Sequence, residues 1–197
     1  CDNLFFRTGW SAFVGGGRYN TIRNNLFIEC TAALHLDDRG LKRARPGEGT
    51  KDGWDLLAKL QAVNWQEAPW KDRYPHLVNV MDDEPKLPLH NVFEKNVAIQ
   101  CPRFLQMHGT VKETAVPRLA FRDNLVFGAV HAKDAETFPQ DESGRQRVTF
   151  MTEALPESAD PDQNGFKLQE SETFRRLAPW FTRIPLERIG RGPLPRP

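Results

Sequence analysis

The chain has 197 residues and a mass of 22.5 kDa, with 27 Lys and Arg against 26 Asp and Glu and a formal net charge of +1. At this size one domain with its own core is the default, and so balanced a charge excludes a bulk electrostatic attraction to nucleic acid or to an acidic membrane surface. Fifteen Pro, fourteen Gly and five Trp point to a loop-rich protein and away from a helical bundle, and no apolar run is long enough to span a bilayer.

The first residues, Cys1-Asp2-Asn3-Leu4-Phe5-Phe6, are a partial copy of a pattern that recurs along the chain. Setting Asn25 over Asn96 and Asn124 aligns IRNNLFIEC, FEKNVAIQC and FRDNLVFG. Each copy has an apolar residue three before the Asn (Ile22, Phe93, Phe121) and one directly after it (Leu26, Val97, Leu125). A third stands two residues further on (Ile28, Ile99, Phe127). The steps from Asn3 through Asn25 and Asn96 to Asn124 are 22, 71 and 28 residues. Steps of 22 and 28 fit one coil of a parallel β-solenoid, and 71 fits a coil plus an insertion. The fold class read from this is all-β: a right-handed parallel β-helix with a helical insertion, truncated at the N-terminus because Cys1 opens in mid-pattern. Upstream coils of the same longer chain would then precede it.

Within a copy, Leu26, Ile28 and Cys30 alternate with Phe27 and Glu29, which predicts a strand with the first three inward. An Asn at one corner of each coil would bond the Asn above and the backbone at the bend. Cys30 and Cys101 take equivalent inward places, either as free thiols packed like small hydrophobes or as a bridge between adjacent coils. Gly15 to Gly17 read as a tight turn, since no Lys-Ser/Thr follows to make a phosphate loop.

Residues 31–40, TAALHLDDRG, predict a strand with Leu34 and Leu36 inward and His35 and Asp37 on the wet face. Laying PRFLQMHG over it stacks Leu105 on Leu34, Met107 on Leu36, Gln106 on His35 and His108 on Asp37. The repeat is broken over 41–90, where Trp54, Leu56, Leu57, Leu60 and Val63 have helical spacing with Asp52 as N-cap. A second short helix is expected at APWKDRYPHLVNV. Residues 91–150 return to coils, with an exposed loop after Val130 and a strand at RVTFM. Residues 151–197 are read as a closing part, with Phe166 and Leu168 in a last strand and Ile184 to Ile189 packed behind it.

GGRYNTIRNNLFIEC, ALHLDDRG, PWKDRYPHLVNVMDDEPKLPLHNVFEKNV and FTRIPLERIG together resemble bacterial right-handed parallel β-helix proteins of the pectate-lyase-like superfamily. Within it, the chain is similar to large secreted proteins that include glycoside hydrolases of the fucosidase and xylanase type. The resemblance implies a secreted (extracellular or periplasmic) protein acting on a polysaccharide or oligosaccharide. In a lyase of this superfamily, Arg39 would be the base, and Asp37 with Asp38 would hold Ca²⁺ through hard oxygen ligands.

From the residues themselves, Asp37 is the first candidate for a catalytic carboxylate, with His108, His35 and Arg39 around it; the alternative is a turn in which Asp37 and Asp38 bond backbone amides. Glycoside hydrolysis wants a second acid, which either the upstream coils or Asp82, Asp83 or Glu84 of the insertion would supply. Trp65, Trp70 and Tyr74 are candidates to stack on a sugar ring, or else pack the insertion onto the coils. Arg18 and Arg73, with Asp38 and Gln106, complete the expected substrate-binding set. No zinc site is expected, because His35, His76, His90, His108 and His131 lack metal-ligand spacing with Cys. Three functions follow: a glycoside hydrolase first, a polysaccharide lyase needing Ca²⁺, or a non-catalytic β-helix that binds glycan. An enzyme would open a cleft at Asp37; a scaffold would tie it into a turn.

Overall fold

The structure, a computed structural model, describes residues 1–37, 39–43, 55–107, 111–128, 148–151 and 167–185. Eleven strands occupy these residues: β1 (Leu4–Phe6), β2 (Ser11–Gly15), β3 (Thr21–Arg23), β4 (Leu26–Ile28), β5 (Ala32–Leu36), β6 (Val92–Glu94), β7 (Val97–Ile99), β8 (Arg103–Met107), β9 (Ala120–Arg122), β10 (Asn124–Phe127) and β11 (Val148–Met151). They form three parallel sheets, ordered β1-β4-β7-β10-β11, β2-β5-β8 and β3-β6-β9. From β1 to β10 the chain visits the sheets in the same order, so each turn adds one strand to each of them, and β11 then joins the first sheet beside β10. Short helices also occur, so strands dominate without being the whole of the chain. No helix among the described residues is long and apolar enough to cross a membrane.

Strand register follows the repeat. Leu26 pairs with Leu4 on one side and Val97 on the other, and Leu125 pairs with Val97. His35 lies beside Gln106, Leu34 beside Leu105 and Leu36 beside Met107, as expected. Two corners recur with left-handed backbone: Asp2, Asn24, Lys95 and Asp123, then Arg7, Glu29, Gln100 and Gly128. At the first corner the Asn amides stack. Asn3, Asn25 and Asn96 each donate from Nδ2 to the Oδ1 of the next Asn at 3.0 Å. Their backbone N–H groups reach the same oxygens at 3.1, 3.1 and 3.2 Å. A second ladder joins Asn20 to Asn91 (2.8 and 2.9 Å), a pair that the first alignment leaves out.

Burial corrects the alternation expected after each Asn. One core cluster is shared by all three sheets and contains Ile22, Phe27, Cys30, Leu34, Phe93, Ala98, Cys101, Phe121 and Val126. A second holds Leu26, Ile28, Val97, Ile99, Leu125 and Phe127, packed against Leu168, Phe174, Ala178 and Ile184 of the C-terminal part. The five-stranded sheet is therefore covered on both faces, which is why its strands read as unbroken apolar runs (Leu26-Phe27-Ile28, Val97-Ala98-Ile99). Phe27 belongs to the shared core, and Leu26 and Ile28 face the C-terminal part.

Helix α1 (Arg39–Arg43) follows β5 directly. In the insertion, α2 (Leu56–Ala62) is capped by Asp55, whose side chain accepts from the Ala58 N–H at 3.4 Å; Asp52 and Trp54 lie outside the described residues. The expected second helix is broken into α3 (Trp70–Arg73) and 3₁₀ turns at Pro75–Leu77 and Val80–Asp82, since Pro75 cannot continue α3. Helix α4 (Val111–Thr114) follows β8. The strand expected at Leu168 is instead a 3₁₀ turn (Lys167–Glu170), followed by α5 (Glu172–Leu177) with Ser171 as N-cap. Leu168 is buried by that turn against the sheet, without a ladder of its own. Phe166 and the stretch 129–147 lie outside the described residues.

Candidate functional site

Asp37 closes β5, and its carboxylate is spent on Arg39. Arg39 Nε lies 2.8 Å from both carboxylate oxygens, Arg39 Nη2 also bonds Oδ2, and the Arg39 backbone N–H donates to Oδ1 at 3.1 Å. Burial pushes the Asp37 carboxyl up, but the bonds from Arg39 and its charge outweigh that and hold it below the usual carboxylate range. The turn packs against Gly16, where an added Cβ would stand 2.5 Å from Asp37 Oδ1. The wet face expected for His35 and Asp37 is not there: they are only 2% and 9% exposed. Trp10 covers His35, with ring centroids 4.8 Å apart. Asp38 and His108 lie outside the described residues.

A different set of side chains gathers where the insertion rejoins the sheets. Tyr19 and His90 share a third left-handed corner (φ 57° and 58°), two residues before the paired Thr21 and Val92. Val92 pairs with Ala120, so Arg118 takes the same place in the next turn. Onto this corner the insertion places Asp83. His90 Nε2 is 2.5 Å from Asp83 Oδ2, Arg18 bonds the same oxygen, and Arg118 bonds Oδ1 and the neighbouring Glu84. Arg18 also donates to the carbonyls of Glu84 (2.8 Å) and Leu87 (3.3 Å). Burial pushes the Asp83 carboxyl up, while the His90 hydrogen bond and the charges of Arg18, His90 and Arg118 together pull it below its ordinary value.

A row of rings leads away from this cluster across the insertion. Tyr19 stacks on His90 (4.8 Å, 12°) and meets His76 at 4.2 Å. His76 meets the edge of Tyr74 at 6.2 Å, and Tyr74 lies alongside Trp70 at 6.2 Å and 24°. Trp70 and Tyr74 are 41% and 39% exposed, and the Arg73 guanidinium lies over Tyr74 at 6.0 Å. Trp65 is buried, its Nε1–H donating to the Val78 carbonyl at 3.3 Å, so it packs the insertion.

The structure thus joins Arg18, Arg73, Trp70 and Tyr74 from the expected binding set with Asp83 and Glu84, and leaves Asp37, Arg39, His35 and Gln106 at the end of β5 and β8. Tyr19, His76, His90 and Arg118 stand outside the expected binding set. For three of them the sequence carries a positional signal: Tyr19 and His90 are 71 residues apart and Arg118 is 28 further on, the same steps as the Asn ladder. Among the described residues, no three His, Cys, Asp or Glu side chains stand together as a metal site. Comparison of the chain with family models, with curated proteins and with solved structures gives no match.

Proposed function

We propose that this chain belongs to a secreted, right-handed parallel β-helix protein of pectate-lyase-like type that binds polysaccharide on the ring row of its insertion. The observation that carries the proposal is the continuous row Trp70, Tyr74, His76, Tyr19 and His90, exposed at its outer end and anchored at its inner end. Flat aromatic faces pack on the apolar faces of pyranose rings, and Arg73 beside Tyr74 offers donors to hydroxyl or carboxylate oxygens. The right-handed sense rests on the general hand of parallel crossover connections. Binding is preferred to hydrolysis at Asp37 because that carboxylate is tied to Arg39 within its own turn.

A second reading, catalysis, is favoured by one contact: Asp83 orients the His90 imidazole, as a carboxylate does in an acid–base pair. One experiment separates the two. Wild type, Trp70→Ala, His90→Ala and Asp37→Asn are run through gels containing each of a panel of polysaccharides, and the same samples are assayed for reducing ends and for unsaturated products. Retardation of wild type that Trp70→Ala loses, without product, supports binding. Product from wild type that His90→Ala loses supports catalysis, as a lyase if the product is unsaturated. Equal retardation of wild type and Trp70→Ala removes the ring row from the site.

A further inference from the structure

Cys30 and Cys101 are completely buried, at 0% exposure each, and take no part in the ring row or in the turn at Asp37. They hold the same place in successive turns of the chain. Each follows a left-handed corner residue of the same φ, Glu29 and Gln100 at 51°. Ile28 pairs with Ile99 before the corner and Ala32 with Arg103 after it, so the register leaves no slack and sets Cys30 directly beside Cys101. Neighbouring strands run about 4.8 Å apart, inside the roughly 4.4–6.8 Å between Cα atoms that a disulfide spans. Both residues belong to the core shared by the three sheets. Cys30 Sγ lies 3.4 Å from the Ile28 carbonyl and Cys101 Sγ 3.5 Å from the Ile99 carbonyl, so the two sulfurs leave their corners alike. The Cys101 thiol donates to Cys30, which pushes Cys101 up and pulls Cys30 down, so Cys30 more readily becomes the thiolate. In the two clefts beside the C-terminal part, by contrast, the charged groups are already engaged: Asp123 in one, and Glu170, Arg175 and Arg183 in the other.

We propose that Cys30 and Cys101 close an inter-turn disulfide when the chain folds in the presence of a disulfide oxidant, and that this bond locks the base of the insertion. The stretch from Cys30 to Cys101 contains the insertion, with Trp70, Tyr74, His76, Asp83 and His90. The bridge makes that stretch a closed loop, and closing a long loop removes more unfolded-state freedom than closing a short one. With glutathione disulfide as oxidant, the Cys30 thiolate attacks one sulfur and releases one glutathione, and the Cys101 thiolate then displaces the second. One S–S bond breaks and one forms; two protein thiols are oxidised, and their two protons leave on the two glutathiones. Because both thiols are buried, exchange takes place as the turns close in folding, and the folded, reduced pair stays inert to reagents. The oxidising setting rests on the secreted reading; the pairing of the two sulfurs does not.

The test refolds the full chain from denaturant with and without glutathione disulfide, carrying Cys1→Ser so that the exposed thiol joins no second chain. Refolded with oxidant, the chain should show no Ellman-reactive thiol in denaturant and weigh two hydrogens less than the reduced chain. Its tryptic digest should contain two peptides joined through Cys30 and Cys101. In urea its folding equilibrium should favour the folded state by roughly a hundredfold more than that of the reduced chain. Cys30→Ala and Cys101→Ala, each made in the Cys1→Ser chain, should show no such gain on oxidation. Two reactive thiols after oxidation, thiols capped by glutathione without a joined peptide, or a joined peptide with no gain over the reduced chain each overturn the proposal. None of these readouts involves a glycan, so a ring row that fails to bind polysaccharide leaves the bridge standing, and a missing bridge leaves the ring row standing.

Discussion

Asn96 is the rung of the ladder on which most depends, and replacing it with Ala gives the sharpest test of what holds the turns together. Its amide makes all four hydrogen bonds that an Asn side chain allows. Oδ1 accepts from the Asn25 N–H (3.1 Å) and Nδ2 (3.0 Å), and Nδ2 donates to the Ile22 carbonyl (2.9 Å) and Asn124 Oδ1 (3.0 Å). In Asn96→Ala the residue 96 backbone N–H keeps its bond to Asn124 Oδ1, but the Asn25 N–H and Nδ2 both lose their shared acceptor and the Ile22 carbonyl loses a donor. Asn25 and Asn96 are 2% and 0% exposed, so water does not replace them at once. At about 1–3 kcal/mol for each buried group left unpaired, the loss is about 3–5 kcal/mol after partial relaxation, a large share of a typical domain's 5–15 kcal/mol. Asn3→Ala is the internal control. Asn3 is exposed, and its backbone N–H still bonds Asn25 Oδ1 at 3.1 Å, so its loss should stay under about 1 kcal/mol. Urea unfolding followed by circular dichroism gives both values from the midpoints, provided that the slopes are unchanged. Equal losses for the two variants would refute the view that the buried rungs carry the ladder.

The Asp83 network predicts a pH effect. Its folded-state carboxyl lies below the ordinary value, so the stability it contributes is complete above about pH 5 and is lost as pH falls through the range under about 3.9. Asp83→Asn should flatten that acid limb and cost about 1–2 kcal/mol at neutral pH, because Arg18, whose side chain is 10% exposed, keeps its charge with one partner fewer; an unchanged acid limb would count against it. Thiol labelling offers another check. Cys1 is exposed, Cys30 and Cys101 are buried and free, and the hydrogen bond to Cys30 together with burial pushes the Cys101 thiol up. Ellman's reagent should therefore find one thiol in the native protein and three in denaturant, and a second fast native thiol would contradict this packing. Gly16→Ala should cost about 1–3 kcal/mol, since the new methyl meets Asp37 and Arg39, and Asp37→Ala in the same chain should recover part of the loss in thermal unfolding.

What could be read from the sequence was set by spacing, and what could not was set by who packs on whom. The steps of 22, 71 and 28 residues locate the turns, and from them the Asn ladder and the pairing of His35 with Gln106 follow before any coordinates. The same alignment invites a solvent face opposite the core, and there it misleads. Leu26 and Ile28 are covered by a segment some 140 residues later in the chain (Leu168, Phe174, Ile184), a contact with no local signature. His35 is covered by Trp10, which lies outside any repeat position used in the alignment. The site shows the same division. Asp37-Asp38-Arg39-Gly40 offers both a catalytic carboxylate and a turn, and only the direction of Arg39 decides for the turn. Asp83, by contrast, reaches Arg18 and Arg118 across separations of 65 and 35 residues, which no periodicity predicts.

The insertion is cheap for the fold, and this is why a binding surface can be carried there. Lengthening one turn from 22 to 71 residues raises the entropy of closing it by about 1 kcal/mol, because the cost grows only with the logarithm of length. The neck of the insertion more than offsets that. The Tyr19 N–H donates to the Leu89 carbonyl at 3.2 Å, Asn91 Nδ2 reaches the carbonyls of Gly17 and Pro88 at 2.9 Å, and Arg18 holds Glu84 and Leu87. Apart from the local Asn91–Pro88 bond, these bonds join the chain just before the insertion (Gly17, Arg18, Tyr19) to the chain at its end (Glu84, Leu87, Leu89, Asn91), so they fix the two ends of the insertion at one spacing of the sheet. The residues between are then free of the register that every strand must keep. Helix α2 accordingly buries none of its side chains, and Trp70 and Tyr74 remain half open to solvent. An exposed ring row costs the fold little because the turn it interrupts is closed at its base, and the same closure delivers Tyr19 and His90 to the inner end of that row.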